Sequence, residues 1–251
     1  MPTALVTGAS SGIGEQFARR LADRGHDLVL VARRADRLER LAEELPATVH
    51  VLACDLGADA AGLPPRVAEL GVDVDLLVNN AGFGTHGRFA EIDEGRDAEM
   101  VRVNCEAVVT LTRAFLPAMI ERGRGGVIVV ASTAGMQPLP YEATYAATKA
   151  FALNLTDALH TELRGTGVKA MSVNPGPVPT EWQEVANAED GAIAKMPGVI
   201  SAEQVVRESL AAYDAGKRSF VPGTTFRWFM RLSSVGPRAI SLRVSERMFR
   251  D

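Results

Sequence analysis

Short runs rich in valine and leucine recur along this chain of 251 residues, and longer stretches with helical periodicity separate them. The runs are almost continuously apolar, which is typical of strands buried on both faces of a sheet. In the stretch after the first run, Ile13, Phe17 and Leu21 recur on one side, as in an amphipathic helix. The alternation predicts a doubly wound α/β fold: a Rossmann-like parallel sheet of about seven strands with helices on both faces. The strands are predicted at residues 3–7, 27–32, 49–53, 74–78, 127–131, 168–173 and 219–221.

Composition and length favour an ordinary globular protein, with 47% hydrophobic and 23% charged residues and a net charge of −4. We expect one domain over 1–251, because α/β domains often reach about 250 residues. A net negative charge argues against nucleic-acid binding, which needs basic surface. Cys54 and Cys105 form no CxxC pair, so we expect a reducing, cytoplasmic location and no metal site. We expect neither a signal peptide nor a spanning helix, since no uninterrupted apolar run reaches about 18 residues.

Two segments depart from the alternation. Residues 181–201 are polar and lack a clear period, which predicts a long substrate loop. The tail at about 225–251 is amphipathic, and from Lys217 onward the chain holds eight basic and two acidic side chains. Three interpretations of this tail stay open. It packs on the body of the fold or on a partner subunit, it makes a peripheral membrane contact, or it is mobile.

The turn after the first strand, TGASSGIG at residues 7–14, contains three glycines between a strand and a helix. Glycine permits close backbone approach, and the free N–H groups at a helix start favour an anion such as a phosphate. The spacing G-x-x-x-G-x-G departs from the usual G-x-G-x-x-G fingerprint. The turn also matches G-x-S-x-G, the nucleophile turn of α/β-hydrolases. We reject that interpretation because only seven residues precede Gly8 and all four histidines precede the last predicted strand.

Further motifs make residues 3–225 resemble the short-chain dehydrogenase/reductase family. They are the glycine turn, NNAG at 79–82, Asn104, Ser132, the YxxxK pair Tyr145 and Lys149, and PGPVPT at 175–180. Each motif follows the strand, or lies in the helix, where that family has it. The resemblance implies hydride transfer between a nicotinamide cofactor and a carbonyl or alcohol substrate.

The spacing of Tyr145 and Lys149 places both side chains on one face of a helix. A nearby ammonium would lower the pKa of the phenol toward the range needed for proton transfer near pH 7. The resemblance implies that Tyr145 exchanges a proton with the substrate oxygen and that Ser132 hydrogen-bonds the same atom. It also implies that Lys149 binds the nicotinamide ribose, and that Asn104 positions a water between Lys149 and solvent.

The end of the second predicted strand favours NADP(H) over NAD(H). The acidic residue that would bind the ribose hydroxyls of NAD is replaced by Ala32, and Arg33 and Arg34 follow, which suit a 2′-phosphate. Arg33→Ala is therefore expected to weaken NADPH binding far more than NADH binding. By resemblance, Asp55 would bind the adenine amino group. The predicted cofactor contacts are Gly8, Ser10, Ser11, Gly12, Ile13, Gly14, Arg33, Arg34, Asp55, Leu56, Asn80, Ala81, Gly82, Tyr145, Lys149, Pro175, Gly176, Val178 and Thr180.

The predicted substrate contacts are Phe83, Ser132, Pro140, Tyr141, Tyr145 and Trp182. Most of the surrounding residues are apolar and no basic side chain is evident among them, which favours a neutral, fairly hydrophobic carbonyl or alcohol substrate. By resemblance, we expect a homodimer or homotetramer. Two alternatives keep the same fold: a catalytically idle dinucleotide-sensing protein, and an epimerase or dehydratase. The presence of Asn104, Ser132, Tyr145 and Lys149 disfavours the sensor, which would have no chemical need for them. The sequence also disfavours the epimerase or dehydratase but leaves it open.

Overall fold

Seven parallel strands form the sheet of this computed structural model, which describes residues 1–181, 198–233, 242–243 and 246. The strand order is β3-β2-β1-β4-β5-β6-β7, so the chain reverses direction across the sheet between β1 and β4. In such sheets, ligands bind at the carboxyl ends of the strands beside this reversal. The strands are β1 Thr3–Thr7, β2 Asp27–Ala32, β3 Val49–Ala53, β4 Val74–Asn79, β5 Gly125–Val130, β6 Val168–Val173 and β7 Ser219–Phe220. The predicted doubly wound sheet is confirmed.

Helices cover both faces of the sheet. They are α1 Gly12–Asp23, α2 Ala35–Glu44, α3 Leu56–Asp59, α4 Leu63–Glu69, α5 Arg96–Val101, α6 Ala107–Glu121, α7 Ala143–Glu162, α8 Ala202–Asp214 and α9 Thr224–Ser233. Successive residues of β1 point to opposite faces, so Ala4 and Val6 pack with α1, α2 and α8, whereas Leu5 packs with α4, α6 and α7. Buried apolar side chains therefore cover both faces of the sheet. The carboxyl ends of the strands carry polar residues and are where a binding site can form.

The start of β5 was predicted two residues too late. The strand begins at Gly125, where a glycine pair resembles a turn in the sequence, yet Gly125 and Gly126 lie in register with Val168 and Lys169 of β6. Gly126 has to be a glycine because of Tyr213 on α8. A Cβ at position 126 would collide with the phenol oxygen of Tyr213. The predicted ends of β4, β5 and β7 were each wrong by one residue.

One continuous helix runs through α5, a π-helical turn at Arg102–Glu106, and α6. By length and composition alone, Arg96–Glu121 could cross a membrane, because an 18-residue window within it has a mean hydropathy of 1.3. The expectation of no spanning helix considered only uninterrupted apolar runs, and charged residues interrupt this one. In this fold α6 packs on β4 and β5, and its Leu111 and Met119 are fully buried, as in the core helix of a globular domain.

The first helix of the basic tail, α9, packs on the body of the fold. Phe226 lies against Gly176, Arg227 donates to the backbone carbonyl of Val221 (2.9 Å), and Met230 is buried. Trp228 on the same helix is 60% exposed. For residues 224–233 the first interpretation of the tail is therefore supported. Most of the tail after Ser233, and residues 182–197 of the predicted substrate loop with Trp182, lie outside the described residues.

Candidate active site

The glycine turn joins β1 to α1 and leaves room for a bound group above its backbone. Gly8 and Gly12 have φ values of +66° and +57°, a left-handed conformation that glycine adopts without strain. A Cβ at Gly14 would lie 2.2 Å from the carbonyl oxygen of Gly8, so only glycine fits there. The turn therefore brings its backbone close to the start of α1, as a phosphate-binding turn requires.

Asn80 fastens the end of β4 to this turn. Its side-chain amide donates to the carbonyl oxygens of Thr7 (2.9 Å) and Gly8 (3.3 Å). In return, the Thr7 hydroxyl accepts from the backbone N–H groups of Asn80 and Ala81, at 2.9 and 3.0 Å. The Asn80 side chain thus holds the two strand ends together at the point where the sheet reverses, and a cofactor could contact the adjacent backbone.

Gly82 brings the loop after β4 against the groups expected to do chemistry. A Cβ at this position would lie 2.9 Å from Oδ1 of Asn104 and 3.3 Å from Nζ of Lys149. Absence of a side chain keeps the space beside the lysine open. The glycine turn and Gly82 thus keep side chains away from the backbone at the start of α1 and from Lys149, as an extended dinucleotide bound there would require.

Ser132 lies shortly after β5 and is the N-cap residue of a short 3₁₀ turn, Thr133–Met136. Its hydroxyl accepts from the backbone N–H of Ala134 (3.1 Å) and lies 3.4 Å from the Pro175 carbonyl oxygen. Gly135 lets this turn touch α7, since a Cβ there would lie 2.5 Å from the carbonyl carbon of Lys149. The close approach brings Ser132 within hydrogen-bonding reach of Tyr145.

Tyr145 and Lys149 are both buried on α7, but the phenol is not acidified as the spacing predicted. Burial raises the pKa of Tyr145 well above its usual value, and the neighbouring Glu142 carboxylate raises it further, against a lowering by the Ser132 hydrogen bond. Lys149 Nζ lies 5.8 Å from the centre of the tyrosine ring and donates to the Val130 carbonyl (2.9 Å). The expected lowering of the tyrosine pKa was therefore wrong for the protein alone, because removal of the phenol from water is the largest cause of the shift.

Burial also lowers the pKa of Lys149, to about 8. The lysine is still mostly charged at pH 7, so it can donate hydrogen bonds to a ribose hydroxyl there. The charged lysine, however, lowers the free energy of unfolding, because folding removes its ammonium group from water.

We expect this cost to be visible in the pH dependence of unfolding. From pH about 8 to pH 10.5 the unfolded chain keeps the Lys149 proton and the folded protein does not. The free energy of unfolding therefore rises with pH in that window, by up to about 3 kcal/mol. Below pH 8 both states are protonated and the cost persists in full.

Urea unfolding of the wild type and of Lys149→Met measures this effect, because the variant lacks the titrating group and all other groups cancel in the comparison. The wild type should gain stability relative to the variant across the window. A constant difference between the two proteins would contradict the lowered pKa.

Asn104 lies in the π-helical turn and is buried. Its amide donates to the Phe83 carbonyl (2.9 Å) and to the Thr148 hydroxyl (3.0 Å), and its Oδ1 accepts from the Phe83 N–H (3.2 Å). π-Turns are often found at functional sites. In this structure the Asn104 side chain holds the loop after β4 against α7, and the predicted water beside it stays a prediction.

The two arginines after β2 lie in different surroundings. Arg34 donates to the hydroxyls of Ser10 and Ser11, both at 3.1 Å, and thereby lies over the glycine turn. Arg33 is 61% exposed at the side chain and its nearest carboxylate, on Glu99, is 3.7 Å away. The two arginines were predicted to have the same role. In the structure only Arg34 contacts the glycine turn.

The remaining predicted cofactor contacts lie along the same strand ends, with mixed roles. Asp55 caps α3 by accepting from the Gly57 N–H (2.9 Å), and Leu56 is buried in the core beneath it. At the other end of the site, Val178 is buried. Thr180 packs on Gly12, with its methyl 3.0 Å from where a Cβ would lie. Thr180 is thus beside the phosphate turn, as predicted.

The predicted substrate side is largely apolar. Phe83 and Tyr145 belong to a buried cluster with Met100, Ala134, Leu139 and Ala146. Tyr141 has a φ of +67°, which is strained for a residue with a side chain, and its carbonyl accepts from the Gly87 N–H (2.9 Å). Such strain often occurs at ligand sites. Pro140, immediately before Tyr141, is half-buried.

Two polar side chains in this region were missed by the sequence analysis. Glu142 is 4% exposed, and one of its carboxylate oxygens lies 3.7 Å from Nδ1 of His86, which follows β4. The pair is separated by many residues in the chain and matches no motif, so no sequence signal could have found it. Phe226, which covers Gly176, was also missed, because the tail could not be placed from its pattern. Among the described residues, no group of three or more histidine, cysteine, aspartate or glutamate side chains could hold a metal ion.

Comparison with known proteins agrees with this geometry. The family model for short chain dehydrogenase matches residues 2–191. The NADP-dependent 3-hydroxy acid dehydrogenase YdfG of Salmonella typhi is 39% identical over 186 residues, which cover 72% of this chain and 75% of that protein.

Two solved structures show how closely the fold is shared. A short-chain dehydrogenase from Sphingobium yanoikuyae in complex with NADPH has a TM-score of 0.80 at 35% identity, covering 88% of this chain and 87% of that one. A short chain dehydrogenase/reductase from Burkholderia phymatum in complex with NAD has a TM-score of 0.83 at 27% identity, covering 92% of each chain. Since the family model spans well over half of its residues, this chain belongs to the short chain dehydrogenase family and is an oxidoreductase of that family.

Proposed function

We propose that this protein is an NADP(H)-dependent oxidoreductase that interconverts a neutral, fairly hydrophobic carbonyl compound and its alcohol. The observation that carries the proposal is the grouping of Ser132, Tyr145 and Lys149 beside the loop after β4. Asn80 fastens the start of that loop to a glycine turn over which Arg34 lies. When bound, the nicotinamide supplies or accepts the hydride. The protein supplies the binding, the orientation and the proton.

The proton chemistry follows from the surroundings of Tyr145. Since burial raises the pKa of the phenol, the hydroxyl is protonated at neutral pH and can donate its proton to a carbonyl oxygen as that oxygen becomes an alkoxide. Ser132 lies beside the phenol and would donate a hydrogen bond to the same oxygen. The site of the protein alone therefore favours reduction of a carbonyl.

The preference for NADP(H) is supported by the positive charge of Arg34 and by the coenzymes of similar proteins. Arg34 and the hydroxyls of Ser10 and Ser11 form a polar group at the end of β2, where position 32 carries alanine instead of an acidic residue and the nearby carboxylate of Glu181 is paired with Arg34. Guanidinium groups bind phosphate with paired, charge-assisted hydrogen bonds. YdfG is named as NADP-dependent and the Sphingobium structure holds NADPH, although the Burkholderia structure holds NAD.

A neutral substrate is supported by the groups around Tyr145. The buried cluster is apolar, and the Glu142 carboxylate acts on the phenol electrostatically, while the Arg96 guanidinium covers the Phe83 ring at 4.1 Å from its centre. A second negative charge in this dry region would be repelled. The name of YdfG points to acids, so acidic and neutral substrates must be compared directly.

The test is consumption of NADPH and of NADH against a panel of ketones, aldehydes and quinones, together with keto acids of matched size. We expect turnover with NADPH and neutral carbonyl compounds. Faster turnover of the keto acids would contradict the neutral substrate class. Tight NADPH binding without turnover of any of these would favour the alternative, a dinucleotide-sensing protein.

We also propose that two copies associate through the outer faces of α6 and α7. These faces expose large apolar side chains, with Ile120 41% and Phe151 40% exposed. A dimer buries such residues. Light scattering should give a dimer or tetramer for the wild type, and Phe151→Glu should shift the mass toward the monomer. An unchanged mass would contradict this interface.

A further inference from the structure

The cationic group at the end of β2 already holds a carboxylate of this chain. Glu181, the residue after Thr180, accepts from Arg34 at 2.9 Å through one oxygen and from Arg37 at 2.5 Å through the other. Arg34 is the same side chain that donates to Ser10 and Ser11. One carboxylate thus bridges two guanidinium groups directly beside the phosphate turn.

Arg37 enlarges the group of cations that the sequence predicted. It lies in the first turn of α2, three residues beyond Arg34, so both side chains extend from the same side of the helix start. Arg37 makes its shortest contact with Glu181, which in turn depresses the pKa of that carboxyl group. The pocket therefore contains two positive charges and one fixed negative charge at neutral pH.

A 2′-phosphate would need the donors that Glu181 uses. A phosphate monoester carries a charge between about −1.5 and −2 near neutral pH, which two guanidinium groups can balance. With Glu181 in place, the net charge of the pair and its carboxylate is only +1, and the bonds of Arg34 and Arg37 are directed at protein oxygens. Full pairing with the phosphate requires that Glu181 give up these contacts.

We propose that Glu181 is a built-in competitor for the 2′-phosphate of NADP(H), and that Arg37 acts with Arg34 as a specificity-determining residue for that phosphate. The inference rests on the proposed use of NADP(H). Free protein holds the two guanidinium groups paired with Glu181, and binding exchanges this carboxylate for the phosphate. NADH has no group that makes the exchange, so Glu181 lowers affinity for NADPH selectively.

The test measures the adenosine end alone, apart from catalysis. Adenosine 2′,5′-bisphosphate carries the 2′-phosphate and ADP does not, and calorimetry gives the Kd of each. Glu181→Gln should bind the 2′,5′-bisphosphate more tightly than the wild type by between about threefold and thirtyfold, the range that two partly exposed ion pairs can supply. Affinity for ADP should change less than about twofold, because ADP makes no use of the exchanged contacts.

Two further variants make the result specific. Glu181→Ala removes the hydrogen bonds that glutamine could still make, and it should strengthen bisphosphate binding at least as much. Glu203→Gln removes a matched carboxylate that pairs with Arg20 at 2.5 Å outside the site. It should leave both affinities unchanged.

Unchanged or weaker binding of the 2′,5′-bisphosphate in both Glu181 variants would overturn the competitor role, and would mean that Glu181 positions the arginines instead. Equal binding of the bisphosphate and ADP by the wild type, with no gain in the variants, would contradict the NADP(H) preference itself and this inference with it. Loss of affinity on Arg37→Ala, for the bisphosphate only, would complete the assignment of Arg37. Equal losses for both nucleotides would refute it.

Discussion

Tyr145→Phe should lower kcat for carbonyl reduction by about 10²–10⁴-fold, the range typical of losing a positioned proton donor. The ring would still fill the buried cluster beside Ala134 and Leu139, so the fold should be kept. Only the hydroxyl that lies beside Ser132 is lost. Since the substitution does not touch the arginines or the glycine turn, the Kd for NADPH should stay within about twofold of the wild-type value.

Single-turnover oxidation of NADPH with an active ketone separates these effects, because it reports the chemical step apart from product release. A matched control is Tyr213→Phe. Tyr213 is also a largely buried tyrosine, with its pKa raised by burial to about 12, but its hydroxyl lies against Gly126 in the sheet. The control should keep its activity. Retained activity in Tyr145→Phe would refute the proposed proton transfer.

Much of the fold could be predicted because local pattern and tertiary structure agree. The valine-rich runs became strands, and the bounds of β1, β2, β3 and β6 were right. The start of β5 was missed, since the glycines there have tertiary reasons: a Cβ at Gly126 would collide with Tyr213, and one at Gly125 would lie 2.9 Å from the Met119 side chain. Propensity cannot show such a contact.

The site shows a similar division. The glycine turn, Asn80, Ser132 and the segment after β6 are brought together because each follows a strand end on the same edge of the sheet, which the order of elements determines. Asn104, Tyr145 and Lys149 reach this edge from helices. The protonation of Tyr145 could not be predicted from its spacing to Lys149, because the pKa depends on how dry the pocket is and on Glu142 beside it. Contacts between distant parts of the chain, such as Arg37 with Glu181, leave no trace in local spacing.

Arg34→Ala should weaken NADPH binding by about 10–100-fold and change NADH binding little. The guanidinium lies over the glycine turn, where it donates to Ser10 and Ser11, and it can turn a charge-assisted pair of bonds toward a 2′-phosphate. One hydrogen bond to a charged group contributes about 1.5–3 kcal/mol, so the expected loss corresponds to one such bond. Arg33→Ala should also weaken NADPH binding more than NADH binding. The loss should be smaller than for Arg34→Ala, because Arg33 is largely exposed.

Fluorescence titration of the wild type and of Arg34→Ala with NADPH and NADH gives the four affinities that test this prediction. Two further variants serve as comparisons. Arg34→Lys keeps the charge but not the planar pair of donors, so its NADPH affinity should lie between those of the wild type and Arg34→Ala. Arg40→Ala removes an arginine of the same helix that pairs with Asp36 in solvent, and it should change neither affinity. If Arg34→Ala weakened NADPH and NADH equally, Arg34 would act on the pyrophosphate turn that both coenzymes share. The selectivity would then come from Arg33 and Arg37, the two cations that do not touch that turn.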